Sequence, residues 1–225
     1  MAESIVVRHG QASFGADDYD NLSDVGWQQS RWLGEYWRKT GQKFDRILCG
    51  SLRRHRQTTV GICEGLGIDL DSHLTVVSQL DEFNFHEVAR LYSEKNSAAT
   101  PGPNAPRADF YRFLMQGMLA WSAGEITPAE SWQAFENRIR EVLNFISDTP
   151  KGSKTLVVSS GGAIAMMVRQ VLGGPPETVI KLNMQIQNTG TTRFFSSPGQ
   201  GLSLNSFNHV PHLEREERHT SVTYS

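Results

Sequence analysis

Three times in this chain, a short run of strand-forming residues ends in a polar or glycine-rich cluster, and the second and third of these clusters open a helix. Residues 4–7 (Ser-Ile-Val-Val) run into Arg8-His9-Gly10-Gln11, residues 44–49 into a segment from Ser51 to Thr58, and residues 155–159 into Ser160-Gly161-Gly162. Apolar runs of this length, bounded by turn residues, are predicted strands. Strands alternating with helices imply a parallel α/β sheet. In an open sheet of that kind the carboxyl ends of the strands converge on one edge, where ligands bind. The three clusters are therefore predicted to meet.

The remaining pattern fills in the layers. A helix is predicted over 23–39, with Ser23 as N-cap and an apolar stripe of Trp32, Leu33, Tyr36 and Trp37. A second covers 53–66 and stops at Gly67. A strand over 74–80 follows. Residues 96–107 hold three prolines and read as a loop, 110–121 as an apolar helix and 123–128 as a second loop. Residues 81–128 thus read as a cap-like insertion within a single domain spanning 1–225. Helices are predicted over 129–147, through Trp132, Phe135, Ile139, Val142 and Ile146, and over 161–172, ended by Gly173-Gly174-Pro175-Pro176. Residues 193–197 and 202–207 read as a hairpin around Pro198-Gly199, and 214–225 as a frayed polar tail.

Composition excludes several classes. The 225 residues carry a formal charge of −2, which leaves no basic footprint for nucleic acid. No apolar run approaches membrane-spanning length, and the first residues lack a basic, apolar leader, so no membrane partner is expected. Cys49 and Cys63 both lie in apolar surroundings, which argues against disulfides and for the cytoplasm. Oligomeric state is not readable.

The clusters suit phosphoryl chemistry. A neutral imidazole can attack phosphorus, and a neighbouring guanidinium can hold phosphate oxygens as a fork. Gly10 lets backbone approach a ligand closely. Arginines on a first helical turn, and glycines at a helix N-terminus, both favour an anion. A solvated basic face is the strong alternative for Arg53 and Arg56 and a weaker one for Arg54, which lies beside the strand end. Together, Arg8-His9-Gly10, Leu52-Arg53-Arg54-His55-Arg56-Gln57-Thr58, Leu80-Asp81-Glu82 and Ser159-Ser160-Gly161-Gly162 resemble the histidine phosphatase (phosphoglycerate mutase-like) superfamily. Its second motif has the form Ser-x-Leu-x-Arg-Ala-x-Gln-Thr. Leu22-Ser23, Gly26, Gln29 and residues 128–131 add lesser matches, so the resemblance covers about residues 4–213.

The resemblance implies a three-layer fold with helices on both faces of a mostly parallel sheet. It implies a phosphomonoester hydrolase that forms a phosphohistidine on His9, with Glu82 as the proton donor. Arg8, Arg54, Ser160 and the Gly161 N–H would bind phosphate, and a small phosphorylated metabolite would be the substrate. No metal or other cofactor is expected, because arginines and backbone dipoles take on the charge.

Ser160 falls where the family carries its second catalytic histidine. Losing one such donor costs about 10²–10³ in rate, so attenuated hydrolysis is expected. Ala12 and Gly15 also replace frequent polar residues, with Ser13 and Gln11 as auxiliary ligands. If residues 82–86 are helical, His86 shares a face with Glu82 and can replace the lost imidazole. His209 and His212 are further candidates. The alternatives are an inactive phosphate-binding or regulatory member of the fold, a mutase, and a serine hydrolase with Ser160 as nucleophile. The last lacks the Gly-x-Ser-x-Gly elbow. A zinc-protease helix starting at His86-Glu87 fails, because Arg90 occupies the second ligand position.

Overall fold

The computed structural model describes residues 1–13, 20–70, 74–102, 104–197 and 199–224. Gly15 and Pro198 lie outside the described residues. The strands are β1 (Ala2–Arg8), β2 (Arg46–Cys49), β3 (Leu74–Val76), β4 (Lys154–Ser159), β5 (Thr191–Ser197) and β6 (Gly201–His209). They form one sheet in the order β3-β2-β4-β1-β5-β6. The first four strands in that order pair in parallel, and β5 and β6 extend the sheet antiparallel.

The central strands are apolar on both faces, as buried parallel strands must be. Ile5, Val7, Ile47, Cys49, Leu156 and Val158 pack with α1 (Asp24–Lys39) and α2 (Arg53–Leu66). The alternating residues Val6, Leu48 and Val157 pack into a larger core. That core includes side chains of α3 (Phe85–Lys95), α4 (Arg107–Ser122), α5 (Trp132–Ser147), α6 (Gly161–Leu172) and α7 (Pro176–Asn183). The three-layer α/β architecture with a mostly parallel sheet is therefore as expected.

Three expectations need correction. The third strand ends at Val76, not at residue 80, and Ser78–Leu80 form a 3₁₀ turn. There, Arg138 Nη1 donates to the Gln79 carbonyl at 2.8 Å and Ser159 Oγ to the Leu80 carbonyl at 2.6 Å, which turns the chain toward the sheet edge. Helix α5 starts at Trp132, not at residue 129, because the Ser131 hydroxyl caps it by accepting from the Ala134 N–H. The helix over 161–172 ends at Gly173 as expected, and beyond it Pro176 opens α7, which was not foreseen, since proline suits a first helical turn as well as it stops a helix. The tail is not frayed. Arg8 Nη1 donates to the Tyr224 carbonyl at 3.0 Å, Gln29 Nε2 to the Ser221 carbonyl at 2.6 Å, and the Asn188 N–H to the Thr223 carbonyl at 2.8 Å.

Candidate active site

The site is built from the carboxyl ends of β1, β2 and β4. Strand register puts Arg8 beside Ser159, so the first and third polar clusters leave the sheet side by side. His9 follows Arg8 and is almost wholly buried. Its Nδ1 lies 2.7 Å from the Gly10 carbonyl, which can only accept, so Nδ1 carries the hydrogen and Nε2 keeps its lone pair. Burial holds the His9 pKa well below the ordinary histidine value, helped by the charges of Arg54 and Arg8. The ring is thus neutral and nucleophilic near neutral pH.

Gly10 has a different reason from the one the sequence offered. A side chain there would overlap the Gly26 backbone of α1, so the glycine admits a helix rather than a ligand. The main chain of this turn is further held by residues 188–189. Asn188 Nδ2 donates to the His9 carbonyl at 3.0 Å, and the Thr189 N–H to the Arg8 carbonyl at 3.0 Å. Thr189 holds a φ of 55°, costly for a β-branched residue, and its hydroxyl bonds His212 Nε2 at 2.8 Å.

Arg54 sits on the first turn of α2 and is buried, whereas Arg53 and Arg56 are exposed. Leu52 at the N-cap position supplies no capping side chain. Asp20 does so from a distance: its carboxylate accepts from the Arg53 N–H at 2.8 Å and pairs with Arg54 Nη1 at 2.8 Å. This fixes the guanidinium beside His9.

Glu82 arrives on the turn that Arg138 secures. Arg138 forks onto Glu130 and also donates to the Asp81 carbonyl at 2.7 Å. The Glu82 carboxyl accepts from the Gly162 N–H at 3.0 Å and so caps α6. Burial raises its pKa, against the pull of that N–H and of Arg54 and Arg8. A carboxyl in this state is suited to donating a proton.

Arg8, His9, Arg54 and Glu82 line one cavity of about 140 Å³. Its other walls are Phe83, Phe85, Tyr111, Leu114, Asn183, Met184 and Tyr224. Of the aromatic residues of the 81–128 segment, Tyr92 packs on Phe113 and Trp121 is core, while Phe110 is exposed. Among the described residues, no cluster of three His, Cys, Asp or Glu side chains is placed to hold a metal.

Several candidates do not join the cavity. Gln11 Oε1 accepts from the Ser23 hydroxyl at 2.8 Å, and the Ser13 N–H bonds the Asn21 carbonyl. Neither residue is a wall of the cavity. His86 is exposed on α3, which starts at Phe85 behind an Asn84 cap, so Glu82 and His86 share no helical face. His209 is exposed on β6, and His212 is buried against Thr189. Ser160 adjoins the site, but its hydroxyl turns away from a capping bond and meets His55 Nε2 at 2.7 Å.

His55 is the residue that sequence reasoning missed. Its ring is fully buried, with its centroid 5.7 Å from that of His9. The signal was present: the family motif has alanine where His55 stands and serine where Gly50 stands. Asn183 and Tyr224 were also missed, because α7 and the ordered tail were not foreseen.

This edge cavity on a three-layer sheet defines a phosphoglycerate mutase-like α/β protein. The chain belongs to the histidine phosphatase superfamily (branch 1), whose sequence profile matches residues 4–209. A probable phosphoglycerate mutase GpmB from Cronobacter sakazakii is 24% identical over 222 residues, covering 95% of this chain and 96% of that protein. A phosphoserine phosphatase from Entamoeba histolytica, solved with phosphoserine, shares the fold at a TM-score of 0.65. It is 20% identical and is matched over 95% of this chain and 100% of its own. A putative alpha-ribazole-5'-P phosphatase from Escherichia coli shares it at a TM-score of 0.67 and 17% identity, over 92% and 96% of the two chains.

Proposed function

We propose that this chain is a phosphomonoester hydrolase working through a phosphohistidine on His9. One observation carries this reading: a neutral buried imidazole, with its Nε2 lone pair free, shares a cavity with Arg8, Arg54 and the carboxyl of Glu82. In the first step Nε2 attacks phosphorus, the bond to the leaving oxygen breaks, and the Glu82 proton goes to that oxygen. In the second, water attacks phosphorus, the phosphorus–nitrogen bond breaks, and the Glu82 carboxylate takes the water proton. Arg8 and Arg54 neutralise the transferred group, with the Gly161 N–H as a further donor.

The substrate is a small phosphorylated metabolite. Phe85, Tyr111, Leu114, Met184 and Tyr224 make the leaving-group side apolar, and Arg8 and Arg54 are the only cations among the described lining residues. This favours a hydrocarbon or aromatic leaving group over one with a second anionic group. The segment 81–128 would act as the cap that selects it. Buried cysteines held as neutral thiols, Cys63 with its pKa pushed up to about 11, fit a cytoplasmic home. Among the described residues no helix is long and apolar enough to cross a membrane.

Ser160 alone is a weaker donor than an imidazole, and on its own predicts attenuation of about 10²–10³. The test is a panel of phosphorylated metabolites run with the parent and with His9→Ala. Turnover by the parent and none by a folded His9→Ala variant is expected. Phosphate binding with no turnover by the parent would select the regulatory binder instead. Transfer to a second substrate hydroxyl, seen in the products, would select a mutase.

A further inference from the structure

We propose that Asp81, His55 and Ser160 form a positioning unit behind His9 that takes up one proton when a phosphoryl dianion enters the cavity. The proposal deepens the reading of His9 as phosphoryl acceptor and rests on it.

Ser160 and Asp81 meet opposite nitrogens of the His55 ring. Ser160 Oγ is 2.7 Å from His55 Nε2, and Asp81 Oδ1 is 3.5 Å from His55 Nδ1, close enough for charge attraction but long for a full hydrogen bond. All three are fixed from outside. The Asp81 carboxylate accepts from the Ser51 N–H at 2.6 Å and from the Ser51 hydroxyl, and its carbonyl is held by Arg138. A side chain at position 50 would overlap both His55 Nδ1 and Asp81 Oδ1, so Gly50 is what lets them meet. Ser160 stands at the N-cap of α6 yet makes no capping bond; Glu82 takes the Gly162 N–H in its place. An N-cap serine contributes about 1 kcal/mol to a helix by capping, and here the hydroxyl is committed to the ring instead.

The proton inventory follows from who can donate. In the resting site the Asp81 carboxylate faces Nδ1–H across 3.5 Å as a charge partner, and Nε2 accepts from the Ser160 O–H at 2.7 Å. The charged and titratable groups acting on the ring are Asp81 and Asp20, which favour its cation, and Arg54 and His9. Burial and Arg54 keep it neutral. A dianion on or beside His9 adds negative charge within a few ångströms, in a site shielded from water, and this favours the imidazolium. One proton then enters from solvent onto Nε2. Nε2–H donates to Ser160 Oγ, and the serine hydrogen is released to face the phosphoryl oxygens. No bond to carbon or phosphorus changes in this step. His55 therefore returns, through Ser160, the positive hydrogen-bonding character that a serine at position 160 lacks.

The test uses the full chain. The His55 imidazole resonances, assigned by their loss in His55→Gln, are titrated with pH, with and without saturating inorganic phosphate. The expected result is a His55 pKa that rises on phosphate binding, and rises less in Asp81→Asn. An unchanged His55 titration with phosphate bound would overturn the proposal, whether or not turnover is ever detected. In parallel, kcat is measured on p-nitrophenyl phosphate, whose leaving group needs no proton from Glu82. His55→Gln and Ser160→Ala are expected to lower kcat by about 10²-fold, with KM little changed and the alkaline limb of the kcat profile lost. The double variant His55→Ala/Ser160→His carries the imidazole on the other wall and is expected to recover most of the rate. A folded double variant no better than His55→Ala would contradict the unit. Ester hydrolysis that needs Ser160 and His55 but survives His9→Ala would replace it with a serine hydrolase.

Discussion

The strand edge of the cavity and its helical wall are held by different forces. Arg8, His9 and Ser160 continue β1 and β4, whose ladder sets their positions, and all three are buried. Phe85, Tyr111, Leu114, Met184 and Tyr224 come from α3, α4, the end of α7 and the tail; Phe85, Leu114 and Met184 pack against the core, Tyr224 is tied by its carbonyl to Arg8, and all five remain partly or largely exposed. Reaction geometry tolerates errors of well under an ångström, so it belongs on the ladder. Substrate choice can drift, so it belongs on segments that tolerate substitution.

The division predicts that edge variants lose rate and wall variants change preference. Beyond the loss expected of His9→Ala, the largest effect is expected at Glu82. Glu82→Gln should cut kcat/KM by about 10²–10³ on substrates with poor leaving groups, and much less on p-nitrophenyl phosphate. Its pKa is raised, so the acid form is present at low pH and is lost as pH rises through that value. The alkaline fall in kcat/KM should therefore flatten in the variant, and pH profiles on the two substrates will read it. An equal loss on both substrates would break the assignment.

Tyr111→Ala should act on the wall. We expect roughly a 10-fold fall in kcat/KM for aryl phosphates relative to phosphoglycerates, with kcat held within about two-fold, the scale of a lost apolar contact. A collapse of kcat would mean that wall and edge are not separable.

The smallest effect concerns the scaffold under the edge. Burial pushes the His212 pKa down to about 3, and the ring supports Thr189, whose N–H holds the Arg8 carbonyl. Between pH ~6.5 and about 3 the unfolded chain binds a proton that the native ring refuses, so stability falls as pH drops through that window. His212→Gln should make that fall shallower in urea unfolding across pH. An unchanged slope would remove His212 as the source.

Legibility followed the same division. Arg8-His9, Arg54 and the Ser160 turn were readable because strand ends in a parallel sheet must converge, whereas Glu82, beyond a strand that stops at Val76, was readable only through the family resemblance of Leu80-Asp81-Glu82. Ser23 could be read as a cap because its side chain bonds three residues away, to the Gly26 N–H. The tail was not readable, since Tyr224 and Ser221 contribute backbone carbonyls whose partners, Arg8 and Gln29, lie about two hundred residues away. His86 was singled out because helical periodicity was extended across Glu82, where the chain is instead pinned by Arg138. His55 was hidden in the opposite way: its role depends on Gly50, Asp81 and Ser160 together, and no single spacing links them.

The most direct measurement is the site of phosphorylation. Parent protein is mixed with a phosphomonoester that it turns over, quenched under alkaline conditions that preserve phosphoramidates, digested, and mapped by mass spectrometry. A phosphoryl group on the peptide carrying His9, absent in His9→Ala, is the predicted result; a phosphoryl group on Ser160, or turnover with His9 never modified, would contradict it.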